Sequence, residues 1–251
     1  MLISLVYAMT YCLGIKNNEG LVAIADTRIT SGTDTTNAKK LFVHSYGKYP
    51  LFLMTSGLRS VRDKAITYFK EVLDETEGFD KMYEVVNTLG KQIKRVINED
   101  KESLDKSGLD FNIHTIVGGQ MPKDDGHKLF LLYPEGNWIE IGDTSPFIII
   151  GNSDYGKPIL KRTITKESSI NFCLKTGFLS FDSTRVSASD VGYPIDILVF
   201  NKSDFSLKTI RCEEKDLAQI SEVWADKLRD ALNEIPEELI GDLFSNSPNQ
   251  N

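Results

Sequence analysis

The sequence predicts an α+β fold in which two antiparallel sheets lie face to face with helices on each outer side. Three observations lead there. Apolar runs of strand length come in hairpin-like pairs whose links are too short for parallel crossovers. Helical periodicity appears in two paired blocks set between groups of strands, and once more near the end. The chain has 251 residues, 41% hydrophobic and 26% charged, enough for a large core in one domain.

Taken in order, Tyr11 to Ile15 and Leu21 to Ala25 flank Asn17-Asn18-Glu19-Gly20, as a hairpin requires. Leu41 to His44 and Leu51 to Met54 flank a Gly- and Pro-containing turn and form a second hairpin. The period then changes. Leu58, Val61, Ala65, Phe69, Val72 and Leu73 make one helical face that ends at Glu77-Gly78. A second helix starts near Asp80 and carries Met82, Val85, Val86, Leu89, Ile93, Val96 and Ile97, a face broad enough to serve a neighbouring subunit as well as the core.

Strands return at Phe111 to Val117, Lys128 to Tyr133, Trp138 to Ile141 and Phe147 to Ile150. Two helical stretches follow, Tyr155 to Ile164 and Ser168 to Leu179. Strands at Ile195 to Asn201 and Ser206 to Cys212 precede a last helix with Leu217, Ile220, Trp224, Leu228 and Leu232 on one face. The polar end, residues 236–251, reads as a tail, and residues 1–9 as an upstream extension or an early start ahead of Met9.

Composition narrows the function. A net charge of −7, with no Lys/Arg block interleaved with aromatics, argues against nucleic acid as a partner. The apolar first eight residues are too short to span a membrane and lack the basic flank of a secretory signal, so the expectation is a cytoplasmic protein with no membrane partner. Cys12, Cys173 and Cys212 are scattered and odd in number, which fits a reducing compartment. With only His44, His114 and His127 beside them, no metal site is expected.

The chemistry concentrates in "MTYCLGIKNNEGLVAIADTRIT", residues 9–30. If Met9 is removed, Thr10 carries a hydroxyl and a free α-amine on one residue. An α-amine has a pKa of about 7.7–8.0, so it can take the hydroxyl proton near neutral pH. The hairpin returns Asp26 towards Thr10, and a lysine from "NAKKLF" could be held by Asp26 with its ammonium on the Thr10 oxygen. The plain alternatives are an ordinary strand threonine, a turn aspartate and a solvated lysine pair.

"TYCLGIKNNEGLVAIADTRITSG" followed by "KKL" resembles the N-terminal block of the proteasome β-subunit and HslV superfamily, the N-terminal-nucleophile hydrolases. "KLFLLYPEGNWIEIGDTSPFIIIGNSDYGKPIL" and "SFDSTRVSASDVGYPIDILVF" are similar to the bacterial, proteasome-related Anbu group. The resemblance spans roughly residues 9–232. It implies a four-layer αββα sandwich covering residues 10–235 and a threonine-type peptidase needing no cofactor. It also implies a peptide or unfolded-protein substrate, a homo-oligomer as ring or open spiral, and room for an unfoldase partner. An amidase acting on a small amide and a self-assembling scaffold with a degenerate site are the rival readings.

By the same resemblance Thr10 is the nucleophile, Asp26 the acid that orients the lysine, and Lys40 the catalytic lysine. The Asp-to-Lys interval is two residues shorter than in proteasome subunits, so Lys39 competes. Lys40 is preferred because it directly precedes the strand Leu41-Phe42, and neighbouring strand residues face opposite ways. In "MTSGLRS", Gly57 falls on the oxyanion-binding N–H with Ser56 beside it, although Ser56 could equally cap the helix. Thr30 falls on a position that pairs with bound peptide, and Met54 on the floor of the specificity pocket. Asn152 or Ser153 stands where the family has a serine beside the amine. Asp182 is carried over from the family's Asp-x-x-Ser pair, with Ser183 standing in for a serine missing at its usual place.

Overall fold

In the computed structural model, which describes residues 10–31 and 34–239, alternation along single strands sorts the apolar side chains into layers. Strand β1 (Tyr11–Lys16) pairs antiparallel with β2 (Gly20–Asp26), joining Cys12 to Ala25 and Gly14 to Ala23. A short ribbon follows, β3 (Arg28–Ser31) on β4 (Asp34–Asn37). Strands β5 (Leu41–Tyr46), β6 (Tyr49–Gly57), β7 (Ile113–Gly119), β8 (Lys128–Leu132) and β9 (Trp138–Glu140) form one sheet in that order. The other sheet runs β10-β1-β2-β11-β12, with β10 Phe147–Gly151, β11 Ile195–Asn201 and β12 Leu207–Cys212.

Phe52 and Met54 of β6 join Cys12, Leu21, Ala23 and Leu198 in a core between the sheets. Leu51 and Leu53, one residue out of step, join the core beneath α1 (Arg59–Glu75) and α2 (Met82–Lys106). On the far side, α3 (Lys157–Thr163) packs with α4 (Ile170–Ser187), and α4 lies on β1 and β2. The order of layers is helices, sheet, sheet, helices: an αββα sandwich of two antiparallel sheets. Each fully buried large apolar side chain contributes about 2 kcal/mol, so one core holds the two sheets together and the other holds α1 and α2 to their sheet.

Several boundaries differ from the sequence reading for identifiable reasons. Helix α4 continues eight residues past Leu179, because Ser180, Phe181, Asp182 and Thr184 stay buried although "SFDSTRVS" shows no apolar stripe. Ser183 Oγ donates to the Leu179 carbonyl at 2.9 Å and Thr184 Oγ1 to that of Ser180 at 2.9 Å. Helix α2 runs to Lys106 through two polar turns with no apolar stripe to mark them. The ribbon β3–β4 is polar and carries no alternation that a sequence could show. The α2 face does not serve a neighbour: Met82, Val85, Val86, Leu89, Ile93 and Val96 are buried in the chain's own core, with Ile97 packed against it.

The described residues up to Glu213 form one compact unit and those from Glu214 onward another. The second is built on α5 (Glu214–Asn233), whose first turn places Glu214 and Asp216 where the helix dipole favours acids. Residues 1–9 and most of the polar tail lie outside the described residues.

Candidate active site

The β1–β2 turn closes because the Asn17 side chain substitutes for backbone. Its Oδ1 accepts from Glu19 N–H at 3.0 Å and Gly20 N–H at 2.8 Å. That register brings the start of β1 and the end of β2 together. Thr10 Oγ1 donates to Asp26 Oδ1 at 2.7 Å, and the Tyr11 N–H donates to the same oxygen at 2.8 Å.

The segment before β5 supplies the cation. Ala38 N–H donates to the Thr27 carbonyl at 2.8 Å, pinning the chain so that Lys40 points inward and Lys39 is left exposed. Lys40 Nζ donates to Asp26 Oδ1 at 2.6 Å, to the Arg28 carbonyl at 2.8 Å, and to Thr10 Oγ1. Thr10, Asp26 and Lys40 are only 4%, 0% and 6% exposed. Burial pushes the Asp26 carboxyl above its ordinary range, and the Lys40 ammonium opposes that shift. Cys12 stands beside this group, but burial pushes its thiol up to about 12, so it is a neutral neighbour rather than a rival nucleophile.

Behind Thr10 lies the end of β10. The Asn152 N–H donates to the Thr10 carbonyl at 2.7 Å, and Gly151 takes φ +87. A Cβ on Gly151 would stand 2.0 Å from the Thr10 carbonyl oxygen, so only glycine allows this approach. Of the two candidates in "GNSD", Asn152 touches Thr10 through its backbone, and its Oδ1 accepts from Asp154 N–H at 3.4 Å. Ser153 is half-buried one residue further on.

Gly57 ends β6 opposite Ile113 with φ +117, where a Cβ would meet the Asn112 carbonyl oxygen at 2.2 Å. Ser56 is buried in β6 and does not cap α1, whose N-cap residue is Leu58 with no side-chain hydrogen bond. Met54 is fully buried between the sheets. Thr30 lies in β3 with its backbone opposite Thr35. Asp182 accepts from Arg185 Nε at 2.8 Å on its own helix, and the Ser183 hydroxyl is engaged by the helix as described above.

The loop after α4 makes a contribution that the sequence reading missed. The Ser189 carbonyl accepts from Arg28 Nη1 at 2.8 Å, and the guanidinium fills the space above Gly192, where a Cβ would come within 2.5 Å of it. Arg28 in turn offers its carbonyl to Lys40. The available signal was Arg28 itself, two residues after Asp26. Among the described residues no group of three or more His, Cys, Asp or Glu could hold a metal ion, and no helix is long and apolar enough to cross a membrane. A shallow cleft beside Asp143, Pro146 and Lys166 lies at the Lys16 end of β1, away from Thr10.

A threonine at the head of the first strand, clasped by a buried Asp–Lys pair inside an αββα sandwich, defines the proteasome-subunit class of the N-terminal-nucleophile hydrolase fold. The chain belongs to the Anbu family. It is 31% identical to an Anbu (Gly-1) mutant from Hyphomicrobium sp. strain MC1, covering 90% of this chain and 98% of that one with a TM-score of 0.82. Anbu (ancestral beta-subunit) from Yersinia bercovieri is 27% identical over 90% of this chain and 98% of that one at a TM-score of 0.81. The helical assembly of the Anbu complex from Pseudomonas aeruginosa is 29% identical over 90% and 97% at 0.82. No protein-family model and no curated protein matches the chain.

Proposed function

We propose that this protein is a threonine-type peptidase whose nucleophile is Thr10, exposed as the N-terminal residue once residues 1–9 are removed. The observation that carries the reading is the buried contact of Thr10 Oγ1 with both Lys40 Nζ and Asp26 Oδ1. Three polar side chains taken out of water at one hydroxyl are expensive to maintain, and that cost is commonly met at reacting groups.

In this scheme the Thr10 α-amine takes the hydroxyl proton, directly or through a water, and Oγ1 attacks the scissile carbonyl carbon. The Lys40 ammonium favours the developing alkoxide. Asp26 and the Arg28 carbonyl hold that ammonium in place. The Gly57 N–H stabilises the oxyanion. The α-amine returns its proton to the leaving amine, and water then hydrolyses the acyl ester. Asp182, with Ser183 beside it, joins the catalytic group from α4, and Thr30 belongs to the surface that takes the peptide, whereas Met54, wholly buried in the core between the sheets, does not.

The working form is a homo-oligomer, read as an open spiral by analogy with the relative described as a helical assembly. Incubation with an electrophilic peptide probe, followed by peptide mapping, tests the reading. A stoichiometric adduct on Thr10 is expected. A protein that forms no adduct and cleaves no peptide is not a threonine peptidase.

A further inference from the structure

A closed circuit of hydrogen bonds runs behind the nucleophile and reaches a residue that the proposed chemistry does not use. Tyr11, covalently next to Thr10, is wholly buried, and its hydroxyl donates to Ser180 Oγ at 2.7 Å. Ser180 Oγ donates onward to the Gly156 carbonyl at 2.8 Å. From Gly156 the chain runs back through residues 155–152 to Asn152, whose N–H holds the Thr10 carbonyl at 2.7 Å. Three separate elements, β1, α4 and the loop from β10 to α3, are thereby tied into one ring around Thr10.

Both ends of that loop fit too tightly to be incidental. Gly151 leaves no room for a Cβ against Thr10, as shown above. At the other end a Cβ on Gly156 would stand 2.3 Å from Ser180 Oγ and 2.5 Å from the Ser180 carbonyl oxygen. The bond direction is also fixed. Burial raises the Tyr11 phenol above its ordinary pKa, so it remains a donor, and the Ser180 hydroxyl spends its single proton on Gly156. The Tyr11 backbone N–H, held by the same side chain, donates to Asp26 Oδ1.

We infer that Ser180 is a positioning residue for Thr10: by accepting from Tyr11 and donating to Gly156, it fixes both the Tyr11 N–H that bonds Asp26 and the loop that bonds the Thr10 carbonyl. The inference rests on the reading of Thr10 as nucleophile. Misplacing a reacting oxygen by a fraction of an ångström lowers the rate of bond formation more than it lowers binding.

The test is the rate of Thr10 acylation by an electrophilic peptide probe, with the maximal rate separated from the half-saturating probe concentration. It uses the full protein and the variants Ser180→Ala, Tyr11→Phe, their combination, and Thr176→Ala. Thr176 is the control for folding, a buried hydroxyl residue one turn earlier on the same helix. Ser180→Ala and Tyr11→Phe are each expected to lower the maximal rate about tenfold, with half-saturation changed less than twofold. The double variant should lose no more than either single one, because both cut the same circuit. Three results would overturn the inference: an unchanged rate in Ser180→Ala, an equal loss in Thr176→Ala, or single losses that multiply in the double variant. If the unsubstituted protein is not labelled on Thr10 at all, the peptidase reading fails and this inference with it.

Discussion

Lys40 Nζ sits 2.6 Å from Asp26 Oδ1, with side chains 4% and 0% exposed. A buried ion pair contributes little net stability, yet removing one partner strands the other at a cost of about 3–5 kcal/mol. Lys40→Ala is therefore expected to lose peptidase activity by orders of magnitude and to lower the denaturation midpoint as well. Lys39→Ala, at an exposed neighbour, should leave both within about twofold. Activity assays and urea titrations decide it, and a dead Lys39 variant beside a normal Lys40 variant would reverse the assignment.

The same pair sets a pH dependence. Burial raises Asp26, and Lys40→Ala removes the ammonium that opposes that rise. The folded carboxyl then holds its proton at pH values where the unfolded one has released it. Stability therefore increases as pH falls from the raised folded pKa towards the unfolded one, and is lost as pH rises through the folded pKa. The deficit of Lys40→Ala relative to the parent should shrink between pH 7 and pH 5. A deficit of equal size at both values would show that Asp26 is not stranded.

Thr10→Ala removes one hydroxyl while Lys40 keeps Asp26 and the Arg28 carbonyl. Loss of a single hydrogen bond costs about 1 kcal/mol. Activity should vanish while the melting midpoint falls by only about 2–4 °C and assembly is kept. Residual turnover above about one per cent of the parent would contradict the assignment.

His127 provides a check remote from the chemistry. Its Nε2 meets the Asn17 carbonyl at 2.7 Å, and Nδ1 is buried without a hydrogen-bond partner. Burial lowers its pKa, and Lys16, Lys202 and Lys128 push the same way against the Asn17 bond. A depressed folded pKa gives stability that is present above the unfolded value, near 6.5, and is lost as pH falls through the folded one. His127→Gln should flatten this acid-side loss between pH 7 and pH 5 in urea titrations. An unchanged slope would assign the loss to other groups.

Assembly is tested by light scattering and electron microscopy at micromolar concentration. Subunits that meet through unlike surfaces form a closed ring or an open spiral, according to whether the rotation closes. Oligomers of open form are expected. A monodisperse monomer of 28.2 kDa would refute assembly.

Much of the fold was legible because its layers are apolar. Alternation in "LFLM" and the three-to-four spacing from Leu58 onward follow directly from which face is buried. Helix α4 was cut short because its last turns bury the polar Ser180, Asp182 and Thr184, leaving no apolar stripe to read. Within the site, Thr10, Asp26 and Lys40 were readable from hairpin geometry and motif, since the β1–β2 register converts a sequence interval into contact. The backbone partners were not readable. Asn152 N–H, the Arg28 and Ser189 carbonyls and the Tyr11–Ser180 link depend on where distant elements pack, not on side-chain pattern.

The most direct test of the central claim is the intact mass of the purified protein before and after the electrophilic peptide probe. The account predicts a chain that begins at Thr10 and gains one probe adduct, mapped to Thr10 and absent from Thr10→Ala. A chain that retains Met9 and still hydrolyses peptides, or an adduct mapped to any other residue, would contradict it.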